Sequence, residues 1–327
     1  MKKKITALLL AGCMTAAMLT GCGSGQDAGD GAKDSYNVGI CQLVQHEALD
    51  AATQGFRDAL TEKLGDRVSF NEQNASGDSP TCSTIVNQFV ASGVDLILAN
   101  ATAPLQSAAA ATDSIPILGT SITDYATALD IDQWEGTTGR NISGTSDLAP
   151  LEDQAAMLNE LFPDAKTVGM LYCSAEPNSE YQIRVVTEAL EGMGYTCKSY
   201  SFADSNDIAS VTTSAVSECD VIYIPTDNAA ASATAVIDSV CRPAGVPVIA
   251  GEEGICKGCG VATLSISYYD LGYQTGLMAY EILENGADVS AMEVQFAPNV
   301  TKKYNAEICA ELGITVPEGY TAIEVSE

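Results

Sequence analysis

One histidine, His46, serves the whole chain, and no G-x-S-x-G elbow presents a serine to it. A Ser-His-Asp or Cys-His enzyme would have to use that one imidazole, so nucleophilic hydrolysis finds no support. His46-Glu47 also lacks the following histidine that a zinc-protease helix requires. Cys256-Lys257-Gly258-Cys259 is the one close cysteine pair. Without a second pair or histidines beside it, it reads as a local disulfide or two free thiols and not as a metal site. No G-x-G-x-x-G follows the first apolar run, which excludes a dinucleotide; no cofactor, metal or catalytic residue is expected.

What recurs instead is a set of short polar clusters, each placed after an apolar run. In the first half these are Gln45-His46-Glu47, Asn100-Ala101-Thr102 and Thr120-Ser121-Ile122-Thr123-Asp124-Tyr125. In the second they are 173–179 (with Pro177-Asn178-Ser179), Pro225-Thr226-Asp227-Asn228 and Gly251-Glu252-Glu253. They offer hydroxyls, amides and carboxylates, with no Lys or Arg. Backbone N–H groups at helix starts can hold a carboxylate, and an Asp or Glu opposite can hold an ammonium. That combination suits an amino-acid zwitterion better than a phosphate, which would want a basic clamp or a glycine-rich loop. Taken singly, Ser79, Thr102, Ser179 and Asp227 also read as ordinary helix caps, so the argument rests on the recurrence. Trp134, Tyr125, Tyr172 and Tyr269 either stack on a flat ligand or pack structurally.

The elements that must position these clusters follow from hydrophobic period. Strands are expected at 37–43, 68–72, 94–99 and 115–119, with helices at 47–63, from Ser79-Pro80 onward and at 104–112. The rhythm restarts near 147: helix 151–161, strand 167–172, helix 179–193, strand 196–201, helix 207–217, strand 220–224, helix 229–240 and strand 246–250. A helix at 268–283, a strand at 293–296 and a helix at 302–312 close the chain. Strands that are apolar throughout mark parallel sheets buried on both faces. The fold class is therefore α/β, with two Rossmann-like lobes and a ligand expected between them at the carboxyl ends of the strands.

The first residues carry Lys2, Lys3 and Lys4, then an apolar run to Leu19, then Leu19-Thr20-Gly21-Cys22. This is an export signal over 1–21 ending in a lipobox, with the lipid expected on Cys22; the run is short for a membrane-spanning helix. Residues 22–36, rich in Gly, Asp and Ser, read as a flexible tether. Lobe 1 is assigned to 37–146 plus about 268–297, and lobe 2 to 147–267 plus about 298–327. The formal charge is −28, and three lysines and no acid leave with residues 1–21, taking it to −31. Such a surface repels nucleic acid and anionic lipid headgroups. Nine cysteines remain besides Cys13 and Cys22, an odd number spread through apolar runs, which argues against a disulfide scaffold.

The chain resembles the ABC transporter substrate-binding lipoproteins that bind aromatic amino acids such as tryptophan and tyrosine. The resemblance runs from Val38 to Pro317. It rests on 44–50 (VQHEALD), 74–78 (NASGD), 94–99 (VDLILA), 225–228 (PTDN) and 268–276 (YYDLGYQTG), in that order. It implies a periplasmic-binding-protein type I fold with a three-strand hinge, and Asn100, Thr102, Thr123, Asp124, Asp227 and Asn228 at the cleft. His46, Ser179 and Glu253 join them as ligand-binding candidates from the strand-end clusters. In this reading Thr102 and nearby amides take the ligand carboxylate, and Asp227 takes the ammonium. Cys82 and the Cys256–Cys259 loop, read as bordering the cleft, depart from the family pattern. The partners implied are an amino acid, an ABC permease and, through it, an ATPase, with the chain monomeric on the outer face of the cell membrane. The alternatives are a ligand-sensing lipoprotein that signals to a membrane receptor, or an importer subunit for a nucleoside or sugar.

Overall fold

The computed structural model describes residues 33–297 and 299–324; the expected signal, Cys22 and most of the tether lie outside them. The first half runs β1 (Tyr36–Gln42), α1 (Glu47–Leu64), β2 (Val68–Asn74), α2 (Ser79–Ser92), β3 (Leu96–Asn100), α3 (Thr102–Ala111), β4 (Ile117–Ile122), α4 (Tyr125–Leu129), β5 (Ile142–Ser146). The second runs α5 (Leu151–Leu161), β6 (Thr167–Cys173), α6 (Pro177–Gly192), β7 (Thr196–Phe202), α7 (Ile208–Val216), β8 (Val221–Ile224), α8 (Asn228–Ala231), α9 (Thr234–Ala244), β9 (Val248–Ala250), α10 (Glu253–Cys259), β10 (Ala262–Ser265). Then come α11 (Tyr268–Asn285), β11 (Gln295–Phe296), β12 (Thr301–Tyr304), α12 (Ala306–Glu311) and β13 (Thr321–Ala322).

One sheet has the order β11-β5-β4-β3-β1-β2 and the other β13-β12-β10-β9-β8-β6-β7. Every pairing is parallel except β10 with β12. The chain therefore passes between the sheets after β5, after β10 and after β11.

Strand periodicity explains the first lobe's two cores. On β3, Ile97 and Ala99 join Phe89 and Leu105 on one face, while Leu96 and Leu98 join Phe56 and Met278 on the other. Side chains of a strand alternate between faces, so a continuous apolar run feeds both layers at once. α11 lies against α1 backbone to backbone. A Cβ on Gly272 would sit 1.9 Å from the Ala52 carbonyl oxygen, and one on Gly55 2.1 Å from that of Tyr269. This contact fixes α11, which follows the second crossing, to the first lobe.

Several expectations are corrected. The helix expected at 229–240 is two helices, α8 and α9, broken at Ser232-Ala233; α9 runs past Pro243 to Gly245, whose φ of 70° ends it. The helix expected at 302–312 is β12 followed by α12. Lys302 and Lys303 pair with Leu264 and Thr263 across an antiparallel ladder, and Asn305 caps α12 through Glu307 and Ile308 N–H. β5 was not anticipated, because Ile-Ser-Gly-Thr-Ser carries one apolar side chain. The expected Cys256–Cys259 loop is part of α10, and both thiols are free and buried in the second lobe's core rather than at the cleft.

Replacing Gly272 by Ala should lower stability by about 1–3 kcal/mol, since backbone atoms face the new methyl and cannot rotate away. Gly192→Ala, at a helical position with open space around it, should be neutral or mildly stabilising. Urea denaturation of both variants checks the pair.

Candidate ligand-binding cleft

The carboxyl ends of the two sheets face each other across a small cavity. His46, Leu49, Ser121, Thr123 and Asp147 line it from the first lobe. Asn178, Thr226, Asp227, Asn228, Ala231 and Glu252 line it from the second, with Tyr268 at the second crossing. The walls touch: His46 Nε2 is 3.2 Å from Asn228 Oδ1, and Gln182 Nε2 donates to Thr123 Oγ1 at 3.4 Å. Lys257 Nζ also donates to Glu47 across the mouth at 3.0 Å. A larger groove of about 280 Å³ adjoins the cavity and shares Asn178 and Asn228 with it. Its apolar walls are Leu43, Val44 and Ala103 on one side and Ala175, Pro177 and Ala203 on the other.

Three carboxylates line the cavity, and no Lys or Arg does. Asp227, 1% exposed, caps α8 by accepting from Ala230 N–H at 2.8 Å; its other oxygen accepts from Cys173 N–H at 2.7 Å and Ser179 Oγ at 2.8 Å. Glu252, 4% exposed, caps α10 by accepting from Gly254 N–H at 2.6 Å and from Ile255 N–H. Asp147 accepts from Thr123 Oγ1 at 3.0 Å and Tyr268 OH at 2.9 Å, joining the first crossing to the second.

Burial pushes all three carboxyls above their usual range, that of Glu252 to about 7; for Asp227 the neighbouring Glu176 adds to the effect. Burial also holds His46 below its ordinary value, so it adds no cation. A water-poor chamber with carboxylates and no fixed cation is built to receive a positive group.

Of the residues singled out in the sequence, His46, Thr123, Asp227 and Asn228 line the cavity. Asn100, Thr102, Asp124, Ser179 and Glu253 do not line it. Asn100 Nδ2 donates to Leu49 O and Thr53 Oγ1, and Thr102 is buried at the start of α3. Asp124 caps α4 through Thr127 N–H, and Ser179 stands behind Asp227. Glu253 turns away to Lys303 Nζ at 2.7 Å, leaving its neighbour Glu252 to face the cavity. Asp147 escaped notice because it follows the unrecognised β5, and Tyr268 because it begins a helix outside any strand-end cluster.

The chain matches the family of ABC transporter substrate binding proteins over residues 37–324. It belongs to that family. A tyrosine-binding protein of Clostridioides difficile (strain R20291) is 35% identical over 292 residues, covering 86% of this chain and 84% of that protein. The crystal structure of an ABC domain from Streptococcus pneumonia in complex with L-Trp superposes with a TM-score of 0.84 at 32% identity, covering 88% of this chain and 100% of that one. The ligand-free, open structure of a Clostridium difficile substrate-binding protein with adhesive properties gives 0.67 at 35% identity, covering 89% and 100%. In this substrate-binding protein the two lobes touch across the cleft, through His46 with Asn228 and Lys257 with Glu47.

The fold is that of periplasmic-binding-protein type I, and the family's work is extracytoplasmic binding of a small molecule for a transporter permease, not catalysis. Among the described residues no helix is long and apolar enough to cross a membrane, and no cluster of His, Cys, Asp and Glu is arranged to hold a metal.

Glu252 makes stability depend on pH with a definite sign. A carboxyl raised from 4.5 to about 7 on folding binds its proton more tightly in the folded chain. Its contribution is therefore complete below 4.5 and lost as pH rises through about 7. The urea midpoint of the ligand-free protein should fall over that interval, and Glu252→Gln should make the fall shallower. An equal slope in the variant would place the titration elsewhere.

Proposed function

We propose that this protein is the lipid-anchored binding subunit of an amino-acid importer and that its ligand is an aromatic amino acid. The observation that carries the reading is the division of the cleft: a chamber with Asp147, Asp227 and Glu252 opens, past Asn178 and Asn228, into a larger groove where Leu43, Val44, Ala103, Ala175, Pro177 and Ala203 form apolar walls beside Asp78, Glu176 and Asp204. An α-ammonium suits the chamber, and a flat apolar side chain suits the groove. The tyrosine-binding and L-Trp-bound relatives support the same class. In this reading Asp227 and Glu252 hold the ammonium, while His46, Thr123 and Asn228 frame it. Cys22, in its lipobox, carries the diacylglycerol, and the chain acts as a monomer on the outer face of the membrane.

Closure follows from charge. The ligand's ammonium is held by Asp227 and Glu252 of the second lobe and gains Asp147, His46 and Thr123 of the first only when the lobes meet, so it binds the closed form better than the open one and shifts the population toward it. The closed form then docks on the permease.

A thermal-shift screen of the chain lacking residues 1–22, against amino acids, nucleosides and sugars, tests the ligand class. Tryptophan, tyrosine or phenylalanine should raise the melting temperature, by the equivalent of about 2.7 kcal/mol at a hundredfold excess over Kd. A shift with sugars or nucleosides alone would overturn the reading. Asp227→Asn keeps the oxygen that caps α8 but removes the charge, and should weaken binding by about 1.5–3 kcal/mol.

A further inference from the structure

If the second lobe supplies the anionic partners of the ligand, some other part of the cavity must hold its carboxylate, and no Lys or Arg lines the cavity to do it. The donors there are largely spent. Thr123 and Tyr268 give their hydroxyl protons to Asp147, and Asn228 Nδ2 gives its own to Glu176 at 2.7 Å. Asn178 Nδ2 is shared between Glu176 and the Thr226 carbonyl, both at 3.1 Å.

Ser121 is different. It lines the cavity, is 7% exposed, and among the described residues its Oγ has no hydrogen-bond partner. Its backbone is held at φ 57°, in the left-handed region that glycine adopts at less cost. A serine at this position thus carries two penalties, a strained backbone and an unpaired buried hydroxyl, and glycine would carry neither. The hydroxyl is what serine adds.

Beside it stands the start of α1. His46 and Leu49, flanking its first turn, line the same cavity, and the 18-residue helix has no side-chain cap on its first N–H groups. α3 is likewise uncapped, but none of its residues lines the cavity.

We propose that Ser121 Oγ and the uncapped first turn of α1 form the carboxylate subsite of the cleft, a role the sequence had suggested for Thr102. The helix end supplies N–H donors and positive dipole, and the hydroxyl supplies a third direction of approach. The ligand then spans the lobes, carboxylate on the first and ammonium on the second, so that both charged ends are satisfied only on closure. This assignment rests on the amino-acid reading above.

Titration calorimetry on the full-length chain in detergent micelles tests it, with L-tyrosine and tyramine, which keeps the ring and ammonium but has no carboxylate, measured directly or by displacement. Ser121→Ala and Ser121→Gly should each weaken tyrosine binding by about tenfold or more. Tyramine affinity should change less than twofold in both. Ser121→Gly should also raise the melting temperature of the ligand-free protein, showing that the loss is not a folding defect. Unchanged tyrosine affinity in Ser121→Ala, or equal losses for tyrosine and tyramine, overturns the assignment. A wild-type chain that binds no aromatic amino acid overturns the ligand reading itself, and the two failures are told apart by that control.

Discussion

A carboxylate taken out of water costs several kcal/mol unless something solvates it again. Asp147, Asp227 and Glu252 meet that cost with hydroxyl and backbone N–H donors instead of cations. Much of the molecule can be understood as the apparatus that supplies those donors. α8 and α10 begin where they do so that Asp227 and Glu252 can cap them from inside the cleft. The Cys173 N–H and the Ser179 hydroxyl complete the shell around Asp227, which is why the loop between β6 and α6 is held against the end of β8. Asp147 ties two of the three crossings together through Tyr268. The same side chains thus stabilise the closed arrangement and present negative potential to whatever enters it.

The partition of the cleft follows from the sheet architecture. Two parallel sheets with apolar strands leave polar groups only at their ends, and the ends that face each other are the carboxyl ends. The chamber carries Asp147, Asp227 and Glu252, and the adjoining groove sets Leu43, Val44, Ala103, Ala175, Pro177 and Ala203 beside the carboxylates Asp78, Glu176 and Asp204. Among the described cysteines, Cys173 lines the groove and the others line neither region. Cys256 and Cys259 sit in the second lobe's core, and burial pushes the Cys241 thiol up to about 12. Such thiols pack as small apolar side chains and are poor nucleophiles.

Fold class was legible because strand period and helix period are strong signals wherever a segment is apolar, as at β3 and β8. It failed where burial comes from pairing rather than composition. β5, with one apolar side chain, is fully buried because β4 and β11 flank it, and β12 is a strand because β10 offers it a ladder. The site was legible to the level of the loop but not of the residue. Glu252 and Glu253 are adjacent and chemically alike; Lys303, arriving on a strand mistaken for helix, and the Ser265 hydroxyl draw Glu253 away. Thr102 and Ser121 are both hydroxyls after strands. What separates them is a backbone angle and a missing partner, neither of which is written in local sequence.

Charge arithmetic also limits which ligands can close the cleft productively. A neutral sugar can hydrogen-bond to carboxylates, but it leaves their mutual repulsion in place, so closure around it must be supported by proton uptake on Glu252 or its neighbours. A zwitterion removes the repulsion at one end and supplies its own anion to the first lobe, needing no proton. Since Glu252 titrates near 7, the two cases differ in pH response: a neutral ligand would be held more tightly in acid, whereas an ammonium would be held more tightly as the carboxylates ionise. The composition of the chamber, three acids without a base, favours the second case, and it does so through the same desolvation that makes those acids costly to bury.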